Sequence, residues 1–138
     1  MKLQARALVP GGASGPVAAI APLSFWGGYD PISGLIIDRS HPAFGQSLRG
    51  TILVMSAGRG SSSSSSVLAE AIRLGTAPAA IVLSEPDAIL ATGAMVAEIL
   101  YGRSCPVIVV PAQSHDQFMT APAVKITPAA EGVTIQCS

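Results

Sequence analysis

Charge is what this sequence is short of. Only 12% of its 138 residues are charged, and eight Lys and Arg balance eight Asp and Glu to a formal net charge of zero. No Lys/Arg cluster occurs, so the positive patch that nucleic acid or an anionic membrane requires is missing. Cysteine is scarce too. Cys105 and Cys137 give neither a metal-ligand spacing nor a disulfide framework. Cys105, in the run Cys-Pro-Val-Ile-Val-Val, reads as a buried structural thiol. No long apolar stretch follows the charges of Met-Lys-Leu-Gln-Ala-Arg, so neither a signal peptide nor a membrane span is expected, and the cytoplasm is the expected compartment.

What is present is core material. A hydrophobic fraction of 49% excludes intrinsic disorder, which needs low hydrophobicity and high net charge. The length fits one domain over 1–138. A small monomer exposes much surface for its volume and should carry more charge than this, which implies that a protein partner covers part of it.

Along the chain, Lys2 to Val9 alternates as a half-exposed strand does, Pro10-Gly11-Gly12 breaks it, and Pro16 to Ala21 is a second strand. Leu23 to Gly50 is dense in Gly and Pro and reads as ordered turns, with Leu35-Ile36-Ile37 as a short strand inside. The second half changes rhythm. Strands over Thr51–Met55, Ala79–Leu83 and Cys105–Val110 alternate with two helices. The first places Val67, Leu68, Ala71, Ile72 and Leu74 on one side and closes at Gly75. The second opens at Ser84-Glu85-Pro86-Asp87 and runs to Tyr101; being apolar nearly all round, it should be buried on two sides. Strands over Ala123–Ile126 and Gly132–Gln136 finish the chain. His115, beside Asp116, reads as a surface helix cap. The expected fold is α/β: a parallel βαβαβ core, with the terminal strands forming a second, partly antiparallel β layer.

The chemistry centres on Gly58-Arg59-Gly60 followed by six serines, Ser61 to Ser66. Six serines in a row usually make a flexible linker. Here they lie between a strand and an amphipathic helix that must pack together, so a strand-to-helix turn is the better reading. The free N–H groups and dipole at such a helix start favour an anion. Gly58 and Gly60 permit a tight turn, and Arg59 can clamp a carboxylate through two hydrogen bonds. There is no lysine for a phosphate-binding Gly-Lys-Ser/Thr loop and no third glycine for a dinucleotide fingerprint. A serine hydroxyl here acts as a base only if N–H donors and a cation stabilise its alkoxide, and Ser61 is best placed for both. Ser62 remains an alternative.

Ser24-Phe25-Trp26-Gly27-Gly28-Tyr29-Asp30-Pro31 and Gly58-Arg59-Gly60-Ser61-Ser62-Ser63-Ser64 together resemble the swivel domain of aconitase X. So do Ile36-Ile37-Asp38-Arg39-Ser40-His41-Pro42 and Gly75-Thr76-Ala77-Pro78-Ala79-Ala80-Ile81-Val82-Leu83. The resemblance runs from about Gly15 to Val110, with the segments in the family's order. It implies a swivelling β/β/α domain and a small subunit whose serine at this turn, matched by Ser61, is the catalytic base. It also implies a large subunit carrying an iron–sulfur cluster, with no metal held by this chain. Candidate substrate contacts are Arg59, Gly60, Ser62 and Ser63, with Phe25, Trp26, Gly27 and Gly28. Asp30, Asp38 and His41 are polar residues in turns that are open to either a site or a capping role. The unbroken serine run followed by Val-Leu is similar to the form that dehydrates cis-3-hydroxy-L-proline; a phosphomevalonate dehydratase small subunit is the alternative. A standalone anion-binding regulatory module on the same scaffold is the reading from a different class.

Overall fold

A computed structural model describes residues 2–137. The elements, in chain order, are β1 (Lys2–Val9), β2 (Ala13–Ala19), a helical turn α1 (Phe25–Gly28), β3 (Ile52–Val54), α2 (Ser64–Leu74) and β4 (Ala80–Leu83). They continue with α3 (Ala88–Tyr101), β5 (Val107–Val109), α4 (Ala112–Thr120), β6 (Ala123–Pro128) and β7 (Val133–Cys137). The expected mixture of parallel and antiparallel strands is present: β2, β3, β4 and β5 run parallel, and β1, β6 and β7 pair antiparallel.

Two separate layers were expected, and the strands instead close into one ring in the order β1-β5-β4-β3-β2-β6-β7. The reason lies in the two N-terminal strands. β1 pairs with β7 through Lys2–Ala5 and with β5 through Arg6–Val9. β2 pairs with β6 through Ala13–Pro16 and with β3 through Val17–Ala19. Each is long enough to leave one sheet and join the other, so no free edge remains between them.

Period-two alternation then sorts the parallel strands between two cores. Ile52, Val54, Ala80, Val82, Ile108 and Val110 face the barrel interior with Val124, Ile126, Val133 and Ile135. Leu53, Met55, Ile81, Leu83 and Val107 face outward, where Leu68, Ala71 and Ile72 of α2 and Leu90, Ala94 and Ala97 of α3 cover them. Burying a side chain of Leu or Ile size contributes about 1.5–3 kcal/mol. Strand ends enclosed from both faces are therefore a rigid base for the loops that leave them.

Several expectations shift. Leu35 and Ile36 make only isolated bridges, with Ser47 and Tyr29, and form no strand. The segment is held instead by Tyr29, whose hydroxyl donates to Thr76 O at 2.6 Å, and by Thr76 Oγ1, which donates to Pro31 O at 2.5 Å. Leu74 is exposed in the last turn of α2. The second helix begins at Ala88, capped by Asp87 rather than Ser84. It is buried on one side only: Met95, Val96, Ile99, Leu100 and Tyr101 are exposed, because α2 and the sheet cover a single face. His115 is not a surface cap. It lies inside α4, a helix the sequence reading missed, and is buried with Nε2 unpartnered among the described residues. No helix among the described residues is long and apolar enough to cross a membrane.

Candidate functional site

The serine run is ordered. Beyond the buried Met55 the chain turns, and α2 starts at Ser64. The turn closes through Ser64 N–H to Ser61 O at 2.9 Å and Ser65 N–H to Ser62 O at 3.2 Å. Ser61 Oγ accepts from Ser63 N–H at 3.1 Å. Serine thus forms a structured entry to the helix, and the linker reading does not hold. Ser61 and Ser62 are exposed, and among the described residues no hydrogen bond engages their amide N–H groups. Ser63 occupies the N-cap position, yet its hydroxyl makes no capping bond because its backbone is already helical, at φ −64° and ψ −14°. The N–H groups of Ser63 to Val67 are thus all engaged within the turn; those left open are the N–H groups of Ser61 and Ser62, just upstream of the helix, where the positive end of its dipole also points.

The aromatic–glycine segment, 38 residues away, packs directly against this turn. Ser24 bridges Arg59 in parallel fashion. Trp26 N–H donates to the buried Ser64 Oγ at 3.1 Å, and Ser24 Oγ donates to Trp26 O at 2.9 Å, so serines on both sides fix the Trp26 peptide. Gly60 sits at φ +95°, where a Cβ would overlap the side chain of Ser24. The four aromatic–glycine candidates separate. Trp26 and Gly27 are exposed. Phe25 is fully buried, its ring 4.8 Å from that of Tyr29, and Gly28 is packed against Leu23 and Asp38. The side chain of Phe25 therefore cannot touch a ligand at this surface. Its role, like that of Gly28, is to anchor the segment.

The polar turn residues divide in the same way. Asp30 accepts from Ile32 N–H and Ser33 Oγ, and Asp38 accepts from the N–H and hydroxyl of Ser40. Each thus caps its own turn. The Ser40 hydroxyl is the main cause holding the Asp38 carboxyl below its usual range, the Ser40 N–H is the next, and the charge of Arg59 adds to them. His41 is buried. Its Nδ1 accepts from Ala43 N–H at 3.0 Å, and Nε2 lies 2.8 Å from Ala21 O, which fixes the neutral tautomer with Nε2 as donor. These three residues build the loop and leave Arg59 free. The Arg59 guanidinium is exposed and, among the described residues, forms no ion pair.

Behind the turn lies an open pocket of about 90 Å³, lined by Gly58, Arg59, Gly60, Ser64, Asp87, Ile89 and Leu90. Ser64 and Asp87 were not singled out as site residues: Ser64 was one serine among six, and Asp87 read as a first-turn acid of the following helix. Only the packing of α2 beside α3 brings them to the same place.

The two cysteines of the chain differ in setting. Cys105 is fully buried, its Sγ 3.5 Å from Pro78 O, and burial pushes its thiol up to about 12. Cys137 stands at the end of β7. Among the described residues no three His, Cys, Asp or Glu side chains group to hold a metal.

Comparison with known proteins matches residues 2–135 to the family model described as the aconitase X swivel domain. A cis-3-hydroxy-L-proline dehydratase of Pseudomonas aeruginosa is 57% identical over 103 residues, which are 74% of this chain and 18% of that protein. A phosphomevalonate dehydratase small subunit of Methanothermobacter thermautotrophicus is 42% identical over 100 residues, 72% of this chain and 76% of that one. The chain spans about a fifth of the length of two cis-3-hydroxy-L-proline dehydratases that it matches, 18% and 20%. The crystal structure of holo-form aconitase X from Thermococcus kodakaraensis superposes with a TM-score of 0.80 at 33% identity, covering 100% of this chain and 98% of that one.

Proposed function

The chain belongs to the aconitase X swivel-domain family, and from that membership we propose that it is the small, serine-bearing part of a hydro-lyase that dehydrates a hydroxy acid, cis-3-hydroxy-L-proline in the first instance. The observation that carries this reading is the open start of α2. An exposed Ser61 hydroxyl, unengaged N–H groups of Ser61 and Ser62, and an unpaired Arg59 converge on one turn. Dehydration breaks a C–H bond α to a carboxylate and a C–O bond at the neighbouring carbon. Ser61 Oγ takes the α proton, with the N–H groups and Arg59 stabilising the alkoxide and holding the substrate carboxylate. The hydroxyl leaves on the side away from this chain.

That departure requires a partner. The turn is solvent-facing, and Trp26 of α1, bonded to it through Ser64, exposes 58% of its surface, while Ile37 and Phe44 of the following segment expose 46% and 54%. Such a rim suits a larger subunit closing over the site, and an iron–sulfur cluster would belong to that subunit. The greater identity to the cis-3-hydroxy-L-proline dehydratases favours the imino acid as substrate. Coverage favours a second reading, a phosphomevalonate dehydratase small subunit, since this chain spans 76% of one.

Co-expression with the cognate larger subunit and assay of both substrates tests the proposal. The complex should release water from cis-3-hydroxy-L-proline while the isolated chain does not. Tight carboxylate or phosphate binding by the isolated chain, with no activity in any complex, would instead support a standalone anion-binding module.

A further inference from the structure

The pocket behind the turn contains one cation and one anion that do not pair with each other. Arg59 and Asp87 are the charged residues lining it, and neither takes part in an ion pair among the described residues. Asp87 spends only one oxygen on structure: Oδ1 accepts from Ile89 N–H at 2.9 Å and from Leu90 N–H at 3.0 Å, capping α3. Oδ2 has no hydrogen-bond partner among the described residues. It lies against Gly58, so closely that a Cβ on Gly58 would overlap it. That oxygen keeps contact with solvent and is open to a donor from a ligand. Ile89 and Leu90 add an apolar side to the same lining.

We infer that this pocket recognises a zwitterion: Arg59 takes the carboxylate and Asp87 Oδ2 takes the substrate's ammonium. This deepens the proposed function and rests on it. It assigns to Asp87 the choice between substrates, because the ammonium of an imino acid satisfies Oδ2, whereas a second anionic group such as a phosphate meets like charge there. Gly58 is then required for its lack of a side chain, which lets the carboxylate approach the turn.

The test uses the assembled enzyme with Asp87→Asn, which keeps the size and the capping oxygen, since Asn caps helices as well as Asp does. The KM for cis-3-hydroxy-L-proline should rise about 10- to 100-fold, the effect of losing a charge-assisted hydrogen bond, with a smaller change in kcat. Inhibition by L-proline should weaken by a similar factor, and inhibition by tetrahydro-2-furoate, its oxygen isostere without the ammonium, should not change. Asp87→Ser, which also caps, should behave alike and serves if the Asn variant fails to fold. Equal weakening of both inhibitors would reduce Asp87 to a structural cap and overturn the assignment, as would a KM within twofold of wild type. A wild-type complex inactive on cis-3-hydroxy-L-proline would overturn the functional reading as well.

Discussion

Two helices start side by side at the same end of the sheet, and they start differently. α3 is closed by a carboxylate that satisfies two of its first N–H groups. α2 begins with six consecutive residues suited to capping, yet its N-cap hydroxyl bonds to nothing in the helix, and two N–H groups upstream stay unengaged. The first N–H groups of α2 go instead to the carbonyls of Ser61, Ser62 and Ser63, which leaves the two upstream N–H groups open to an anion. The contrast separates a fastening from a site.

The contrast can be sharpened by mutation. The largest effect should come from Arg59→Met. This exposed, unpaired side chain contributes little to folding, so the melting temperature should hold while KM of the assembled enzyme rises about 100-fold, as for loss of a bidentate carboxylate clamp. Gly60→Ala comes next. Its Cβ would overlap Ser24 at a positive φ, so denaturant titration should show a loss of about 2 kcal/mol, with activity falling because the turn must move. Asp87→Ala removes a working cap and should cost about 1 kcal/mol in the same titration. Ser63→Ala, at the idle cap of α2, should change stability by less than about 0.5 kcal/mol. Comparable losses at Asp87 and Ser63 would erase the distinction between the two helix starts.

The parts of this molecule that follow local rules were legible in the sequence. Strand β4 reads from its apolar run. Gly75 and Gly102 end their helices at φ +78° and +65°, as glycines past a periodic segment should. The serine turn was legible because a strand and a helix flanked it. Long-range facts were not. Nothing local says that β1 and β2 are long enough to bind two sheets into one barrel. Nothing local says that Phe25 turns inward while Trp26 turns outward, since a kinked four-residue turn sets both directions. α4 escaped because its sequence, AQSHDQFMT, has a weak apolar stripe; it buries His115 and Phe118, and only Phe118 is an apolar anchor, fully buried in the barrel core. Asp87 was visible only as an acid near a helix start, and its free oxygen facing a second loop exists only after α2 and α3 pack.

The central claim is that the Ser61 hydroxyl removes a proton. Ser61→Ala in the assembled complex tests it most directly, through kcat for dehydration alongside melting temperature and co-purification. Loss of a positioned general base should lower kcat by about 10²- to 10⁴-fold while folding and assembly stay intact. A Ser61→Ala complex that turns over within threefold of wild type would contradict the account.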